Sequence, residues 1–291
     1  MKVKKYQFTF SAMTTSCECQ LFTESLEKAQ SIALKIRQNT MRLEAKYNFF
    51  NAQSLLSTQI NDRQSNCVDI DAETQQVLTQ VKALELLTDH YFDITVGTIK
   101  HCDQFEKLAE MDLCRADLRQ YMGPDSWWLA DGKLVFANDF CKLDLGGVIK
   151  EVAVDQAISL CKAQQLKSAL INFGGDLYAL GRKPDGQKFN VAIKNPKNPQ
   201  QMFAIIDLED QAMTTSAHYE RSRQVEKKQV SHLICSQENN HATHILSASV
   251  ISESVLTSGV LSTALMFSKP LTLNDKSTFI LIDNDLQVSQ G

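Results

Sequence analysis

Glycine is scarce in this chain, at 11 of 291 residues, yet four of the glycines form two pairs, Gly146-Gly147 and Gly174-Gly175. Paired glycines lift the steric bar on unusual backbone angles and let a ligand come close to the main chain. Gly146-Gly147 falls between a short apolar run and the start of a helical pattern, with Lys150 just inside it. N–H groups at a helix start attract phosphate, the helix dipole favours negative charge, and the lysine adds a cation. This is a candidate diphosphate site; a tight turn is the other reading. No GxGxxG occurs, so a Rossmann dinucleotide site is not indicated. His232, on a strand-like stretch, is a candidate general base or a packed histidine. His241-x-x-His244 has a spacing that could share a metal on a helix, but its Asn- and Thr-rich surroundings read as an exposed loop.

The elements that must position these residues are legible in the spacing. Residues 6–12 and 17–22 alternate as strands and predict an opening hairpin or meander. From Ser25 to Tyr47, apolar residues recur at helical spacing. Residues 48–70 are polar and irregular. A second helix is expected over 73–89, with Asp71 as N-cap. Residues 101–126 read as helical and then loop-like. Leu134-Val135-Phe136 and Lys142-Leu143-Asp144-Leu145 read as short strands. A helix over 148–165 follows the first glycine pair. Strands are expected at 168–173, 176–181, 189–194 and 203–208, and near 230–235 and 245–252. A helix over 256–267 and a strand over 277–283 close the chain. Strands and helices do not alternate strictly, which favours an α+β fold with mixed or antiparallel sheets over a doubly wound sheet. The length suits a single domain over 1–291 or two intimately packed lobes.

Composition narrows the function. Hydrophobic residues make up 43% and charged residues 22%, as in ordinary globular enzymes. Lys+Arg total 30 against Asp+Glu 34, a formal charge of -4. Without a basic stripe, nucleic acid is not an expected partner. No window reaches the roughly 18 apolar residues of a membrane span. Met1-Lys2-Val3-Lys4-Lys5 resembles the basic start of a signal peptide, but no apolar run follows, and Cys17 lacks a Leu-rich approach. A cytoplasmic location is therefore expected, and with it reduced thiols for the eight cysteines. Cys17 and Cys19 should share one strand face. No Cys-x-x-Cys occurs, so a structural zinc site is not expected.

The order of short segments resembles that of the ApbE family of FAD:protein FMN transferases. Leu143-Asp144-Leu145-Gly146-Gly147-Val148-Ile149-Lys150, followed by Ala153 and Asp155, is similar to the family's LDLGG-(I/V)-x-K-x-x-A-x-D. Phe92-Asp93-Ile94-Thr95-Val96-Gly97 resembles FDPTVG, and Asn172-Phe173-Gly174-Gly175-Asp176 resembles N-x-GGD. Phe189 to Pro196 is similar to W-x-V-x-I-x-x-P, and Ala212 to Glu220 to A-x-A-T-S-G-x-Y-E. Ser231-His232-Leu233-Ile234 resembles the start of H-I-I-D-P. Leu261-Ser262-Thr263-Ala264-Leu265 resembles L-(A/S)-T-A-L, and Phe10 to Thr15 resembles F-x-x-M-G-T. Eight matches fall in the family order over roughly residues 6–267.

The resemblance implies an ApbE-like, T-fold-like architecture that binds FAD and Mg²⁺. It implies transfer of the FMN half of FAD to a Thr or Ser hydroxyl of an acceptor protein, with release of AMP. By position, Ile149 would give a backbone carbonyl and Thr263 its hydroxyl to the metal. Met13, Tyr47 and Asp155 would hold the adenosine. Gly97, Gly146, Gly147, Val148, Lys150, Thr215 and Ser216 would line the flavin and its diphosphate. His232 would be the general base.

The chain also departs from the family pattern. The metal-ligand Asp four residues before the family's Thr is Gly259 here. An Asp and a Thr at that spacing share a helix face and can grip one ion, and Mg²⁺ prefers hard anionic oxygen. The Gly after the family's Lys is Glu151, which adds charge near a diphosphate. The Gly of M-G-T is Thr14, the Gly of T-S-G is Ala217, and H-I-I-D-P continues as Cys235-Ser236. Three functions stay open: a working transferase with a replacement metal ligand such as Asp176, an FAD-binding or interaction protein on the same scaffold, and hydrolysis of FAD to FMN and AMP.

Overall fold

The computed structural model describes residues 2–217, 222–226, 228–231, 244–267 and 276–291. The chain opens with a hairpin, β1 (Lys4–Ala12) and β2 (Thr15–Thr23), paired in register from Lys4↔Thr23 to Ala12↔Thr15. The turn residues Met13 and Thr14 both take positive φ, 52° and 58°. Positive φ at both positions is the type I′ form of a two-residue hairpin loop, so Thr14 holds a glycine-like conformation without being glycine.

Helix α1 (Leu26–Tyr47) starts at Ser25, whose side chain accepts a hydrogen bond from the Lys28 N–H. Helix α2 (Ala72–Leu87) starts at Asp71, which accepts from the Thr74 N–H. Asp71 is the expected N-cap, and Ser25 is of the type that favours this position. Between them, a π-helical turn at Leu56–Asn61 buries Leu56 and Ile60. Strand β3 (Cys67–Asp69) then joins β4 (Trp127–Ala130) and β5 (Lys133–Phe136) in a small sheet ordered β3-β5-β4. Residues 48–70, irregular by sequence pattern because their buried residues are spaced unevenly, hold this π-helical turn and β3. Helix α3 (Leu108–Leu118) lies against a 3₁₀ segment, Gly97–Gln104.

The main sheet has eight strands, ordered β1-β2-β6-β7-β10-β13-β14-β15, and every neighbouring pair is antiparallel. Its later members are β6 (Ala169–Phe173), β7 (Asp176–Leu180), β10 (Gln211–Ala217), β13 (Ile245–Ser252), β14 (Thr278–Asp283) and β15 (Val288–Gln290). A hairpin of β8 (Phe189–Asn195) and β9 (Asn198–Leu208) stands apart from the sheet, and β11 (Ser222–Val225) pairs with β12 (Lys228–Ser231). Helices α1, α4 (Ile149–Ala163) and α5 (Val255–Leu265) belong to one hydrophobic core with Tyr178, Leu180 and Ala212. Leu177, Ala179 and Met213 pack instead with Phe189, Ile193 and Leu208 of the β8–β9 hairpin. Side chains alternate across a strand, so β7 has both faces covered and all five of its residues are buried.

Three expectations are corrected. Lys142–Leu145 is not a strand; it contributes one isolated parallel bridge, Val96↔Lys142, because its backbone is held by loop residues rather than a strand partner. Residues 211–217, read only as a motif, form β10 at the centre of the main sheet. The cysteines are not all reduced: Cys102 and Cys114 form a disulfide, since the 3₁₀ segment and α3 bring their Cα atoms to 5.8 Å. Cys17 and Cys19 are free thiols buried on one strand face, as expected. Among the described residues, the one group of metal-type ligands is His101, Cys102 and Cys114, and both of its sulfurs are in that disulfide. No described helix is long and apolar enough to cross a membrane.

Candidate functional site

Met13 sits in a turn at one end of the main sheet. There, the β1–β2 turn meets the β6–β7 turn, because Cys17 of β2 pairs with Phe173 of β6. Gly174 and Gly175 form the second turn with φ of 64° and 103°. A Cβ on Gly174 would lie 2.1 Å from Thr15 Oγ1, so this glycine lets the two turns touch. An open hollow of about 370 Å³ beside them is lined by Ser11, Ala12, Thr14, Thr15, Ser16 and Glu44. Met13 borders it and donates its N–H to Glu44 Oε1 at 2.7 Å.

The other glycine pair behaves differently. Gly146 and Gly147 are exposed and neither has positive φ. They lead into α4, whose N-cap residue, Val148, supplies no side-chain cap. The Ile149 N–H is donated to the Leu145 carbonyl at 2.9 Å, and the positive end of the helix dipole favours an anion at this start. Val148 and Ile149 are buried, while Lys150 is half-buried and ion-paired with Asp176 at the start of β7. Asp144 stiffens the approach: its Oδ1 accepts from the Gly146 N–H at 2.8 Å and its Oδ2 pairs with Lys100 Nζ at 2.7 Å.

Phe92–Gly97 clamps this loop. The Asp144 N–H donates to the Ile94 carbonyl at 2.7 Å, and the Lys142 N–H donates to Thr98 Oγ1 at 2.9 Å. Asp93 Oδ1 accepts from the Thr95 N–H and hydroxyl, which fixes the turn. Behind it, Glu85 of α2 is buried, accepts from the Ile94 N–H at 3.3 Å, and has Lys82 Nζ at 3.7 Å. Burial first, then the charge of Asp93, pushes the Glu85 carboxyl up to about 8. The folded chain therefore keeps a proton that the unfolded chain releases, and stability falls as pH rises from the ordinary carboxylate range to about 8. Glu85→Gln is expected to be more stable than the parent at pH 8 by on the order of 2 kcal/mol, with little difference at pH 4. Urea denaturation at the two pH values measures this, and a parallel pH dependence in both proteins would refute it.

Hydroxyls gather between β10 and α5. Ser216 Oγ lies 2.8 Å from Ser262 Oγ and 3.2 Å from Thr263 Oγ1. Thr215, its neighbour in the strand, faces the other way and bonds Ser249 Oγ at 2.8 Å. Helix α5 is held by Asp155 of α4, whose two oxygens accept from the Val255 and Leu256 N–H groups at 2.8 and 3.0 Å. Asp155 is thus a cap between helices, where a carboxylate also suits the helix dipole. Burial raises its pKa. Asp155→Ala is expected to lose about 2–3 kcal/mol of stability, read as a lower urea midpoint; an unchanged midpoint would contradict the cap.

Tyr47 is engaged with α2. Its ring is buried and its hydroxyl is 2.8 Å from Thr74 Oγ1. His232 and His241 lie outside the described residues. Gly259 of α5 and Glu151 of α4 face each other. Glu151 is 5% exposed, its Oε2 has no hydrogen-bond partner, and burial followed by the charge of Asp176 raises its pKa. The sequence placed charge at Glu151 but gave no sign of what it faces.

Residues 13–274 match the model of the ApbE family. The chain belongs to the ApbE family. It is 25% identical over 259 residues to the FAD:protein FMN transferase of Haemophilus influenzae, covering 84% of this chain and 74% of that one. It is 25% identical to the FAD:protein FMN transferase of Chlamydia pneumoniae over 72% of this chain and 66% of that one. The fold matches the ApbE protein of Thermotoga maritima with a TM-score of 0.89 at 24% identity, covering 99% of this chain and 97% of that one. It matches the flavin transferase ApbE of Vibrio cholerae with a TM-score of 0.83 at 18% identity, with the same coverages. The α+β ApbE fold expected from the sequence is therefore the fold of this protein.

Proposed function

We propose that the protein is an FAD:protein FMN transferase, which moves FMN from FAD to a Thr or Ser hydroxyl of an acceptor protein and releases AMP. The observation that carries this reading is the meeting of an uncapped helix start with a hydroxyl cluster on one sheet end. The start of α4, with Lys150, would hold the diphosphate. Met13 and the adjacent hollow would take the adenosine end, with Tyr47 and Asp155 shaping the wall behind. Gly97, Gly146, Gly147, Val148, Thr215 and Ser216 belong to the strands and loops that would frame the flavin. His232 would accept the proton of the attacking hydroxyl.

The oxygens at the site suit a hard divalent cation. Ile149 offers a carbonyl, Thr263 a hydroxyl, and the donor-less Glu151 oxygen marks a place where positive charge is needed. Mg²⁺ bound there would offset the charge of the diphosphate. The test is in-gel flavin fluorescence after incubation with FAD, Mg²⁺ and an acceptor domain carrying a target Thr. A fluorescent acceptor band that disappears with EDTA is expected. His232→Ala should lower the rate by roughly 10²–10⁴-fold. A dark acceptor with FAD still bound would favour a flavin-binding protein, and free FMN and AMP without acceptor labelling would favour hydrolysis.

A further inference from the structure

Two departures from the family pattern meet in space. A Cβ built on Gly259 would lie 2.6 Å from Glu151 Cγ, 3.2 Å from its Cδ and 3.1 Å from its Oε1. The Glu151 carboxylate therefore fills the room that a side chain at position 259 would use. Position 259 has lost a carboxylate and position 151, on the facing helix, has gained one. Neither change fits alone: a side chain at 259 would strike Glu151, and a glycine at 151 facing Gly259 would leave the space without an anion.

The carboxylate is poised for a cation. Glu151 is 5% exposed, and its Oε2 has no hydrogen-bond partner. A buried carboxyl with an oxygen that lacks a donor stays neutral unless positive charge reaches it, and a divalent cation would take the place of its proton. Thr263 lies one turn after Gly259 on the same helix face, at a spacing of about 5–6 Å between Cβ positions. A carboxylate and a hydroxyl thus border one space, the oxygen pairing that Mg²⁺ or Mn²⁺ takes. Asp176 and Lys150 form their ion pair beside it.

We infer that Glu151 is the anionic ligand of the divalent cation, supplied from α4 in place of a carboxylate at position 259 of α5. This rests on the transferase reading for what the metal serves, but the ligand assignment can be tested without turnover. Mn²⁺ binding would be followed by electron paramagnetic resonance in the parent, Glu151→Gln, and the double variant Glu151→Gly with Gly259→Asp. FAD binding would be followed separately, without metal, by flavin fluorescence. Glu151→Gln should weaken Mn²⁺ binding by about tenfold or more while the protein stays folded and still binds FAD without metal. The double variant should restore Mn²⁺ binding to within about threefold of the parent. If it does not fold, Glu151→Gln alone decides the matter. Parent-like Mn²⁺ binding in Glu151→Gln overturns the assignment, as does a parent protein that binds FAD but no Mn²⁺. A parent that binds Mn²⁺ through Glu151 but never binds FAD would leave the ligand in place and sink the transferase reading instead.

Discussion

Gly97→Ala is expected to destabilise the protein by about 3 kcal/mol or more and to weaken FAD binding by at least about tenfold. The added Cβ would sit 2.7 Å from the Leu143 carbonyl carbon, 2.7 Å from the Lys142 oxygen and 2.9 Å from the Asp144 nitrogen. All three are backbone atoms, so no side chain can swing aside. The segment holding Phe92–Gly97 would have to part from Lys142–Leu145. That would stretch the Asp144–Ile94 and Lys142–Thr98 hydrogen bonds and shift the loop that delivers Gly146, Gly147 and the start of α4. Urea denaturation reads the first effect and a fluorescence titration with FAD the second. Gly147→Ala is the control for stability. Its Cβ would meet only Phe92 Cε2, at an ordinary 3.8 Å, so its urea midpoint should stay near the parent's. Equal midpoints for Gly97→Ala and the parent would show that the two segments are not clamped as described.

Gly97 also shows what a sequence can and cannot disclose. Its place at the end of a recognisable segment was legible; the backbone it presses against was not, because that contact joins two loops with no periodic signal. Elements whose burial follows one period were read well. Helices α1 and α2 carry apolar stripes behind Ser25 and Asp71, and both caps are made. Strand β10 was missed because Gln211–Ala217 mixes small and polar residues. The hydroxyls of Thr215 and Ser216 are spent on Ser249, Ser262 and Thr263. Asp155 was read through the family resemblance alone, and its bonds to the start of α5 depend on how two helices dock. The disulfide follows the same logic, since the approach of Cys102 to Cys114 is set by α3 folding back on the 3₁₀ segment. The glycine pairs split. Gly174-Gly175 has the left-handed angles that paired glycine invites, whereas Gly146-Gly147 does not and instead leaves the helix start exposed.

Gly259→Asp on its own is expected to damage the protein rather than repair it. From the sequence, restoring the missing carboxylate looks like a rescue. In the structure, the position already faces Glu151, whose Cγ would stand 2.6 Å from the new Cβ. Three costs add. Glu151 is buried, so relieving the overlap means turning its side chain into another rotamer in a packed space, at about 1–3 kcal/mol. A second carboxylate would enter a space where one oxygen of Glu151 already lacks a donor, and like charges at short range oppose ionisation of both. Asp176 adds a third acid nearby. Against these stands the better helix propensity of Asp over Gly, worth a few tenths of a kcal/mol. The net loss should be about 3 kcal/mol or more, a fall in Tm of roughly 6 °C or more for a chain of this size. Pairing the change with Glu151→Gly removes the obstacle and leaves one carboxylate. The double variant should therefore recover most of the loss, with a coupling energy of about 2 kcal/mol or more in the double-mutant cycle. Additive effects of the two substitutions would mean that the facing residues do not share one space, and that the carboxylate did not cross from one helix to the other.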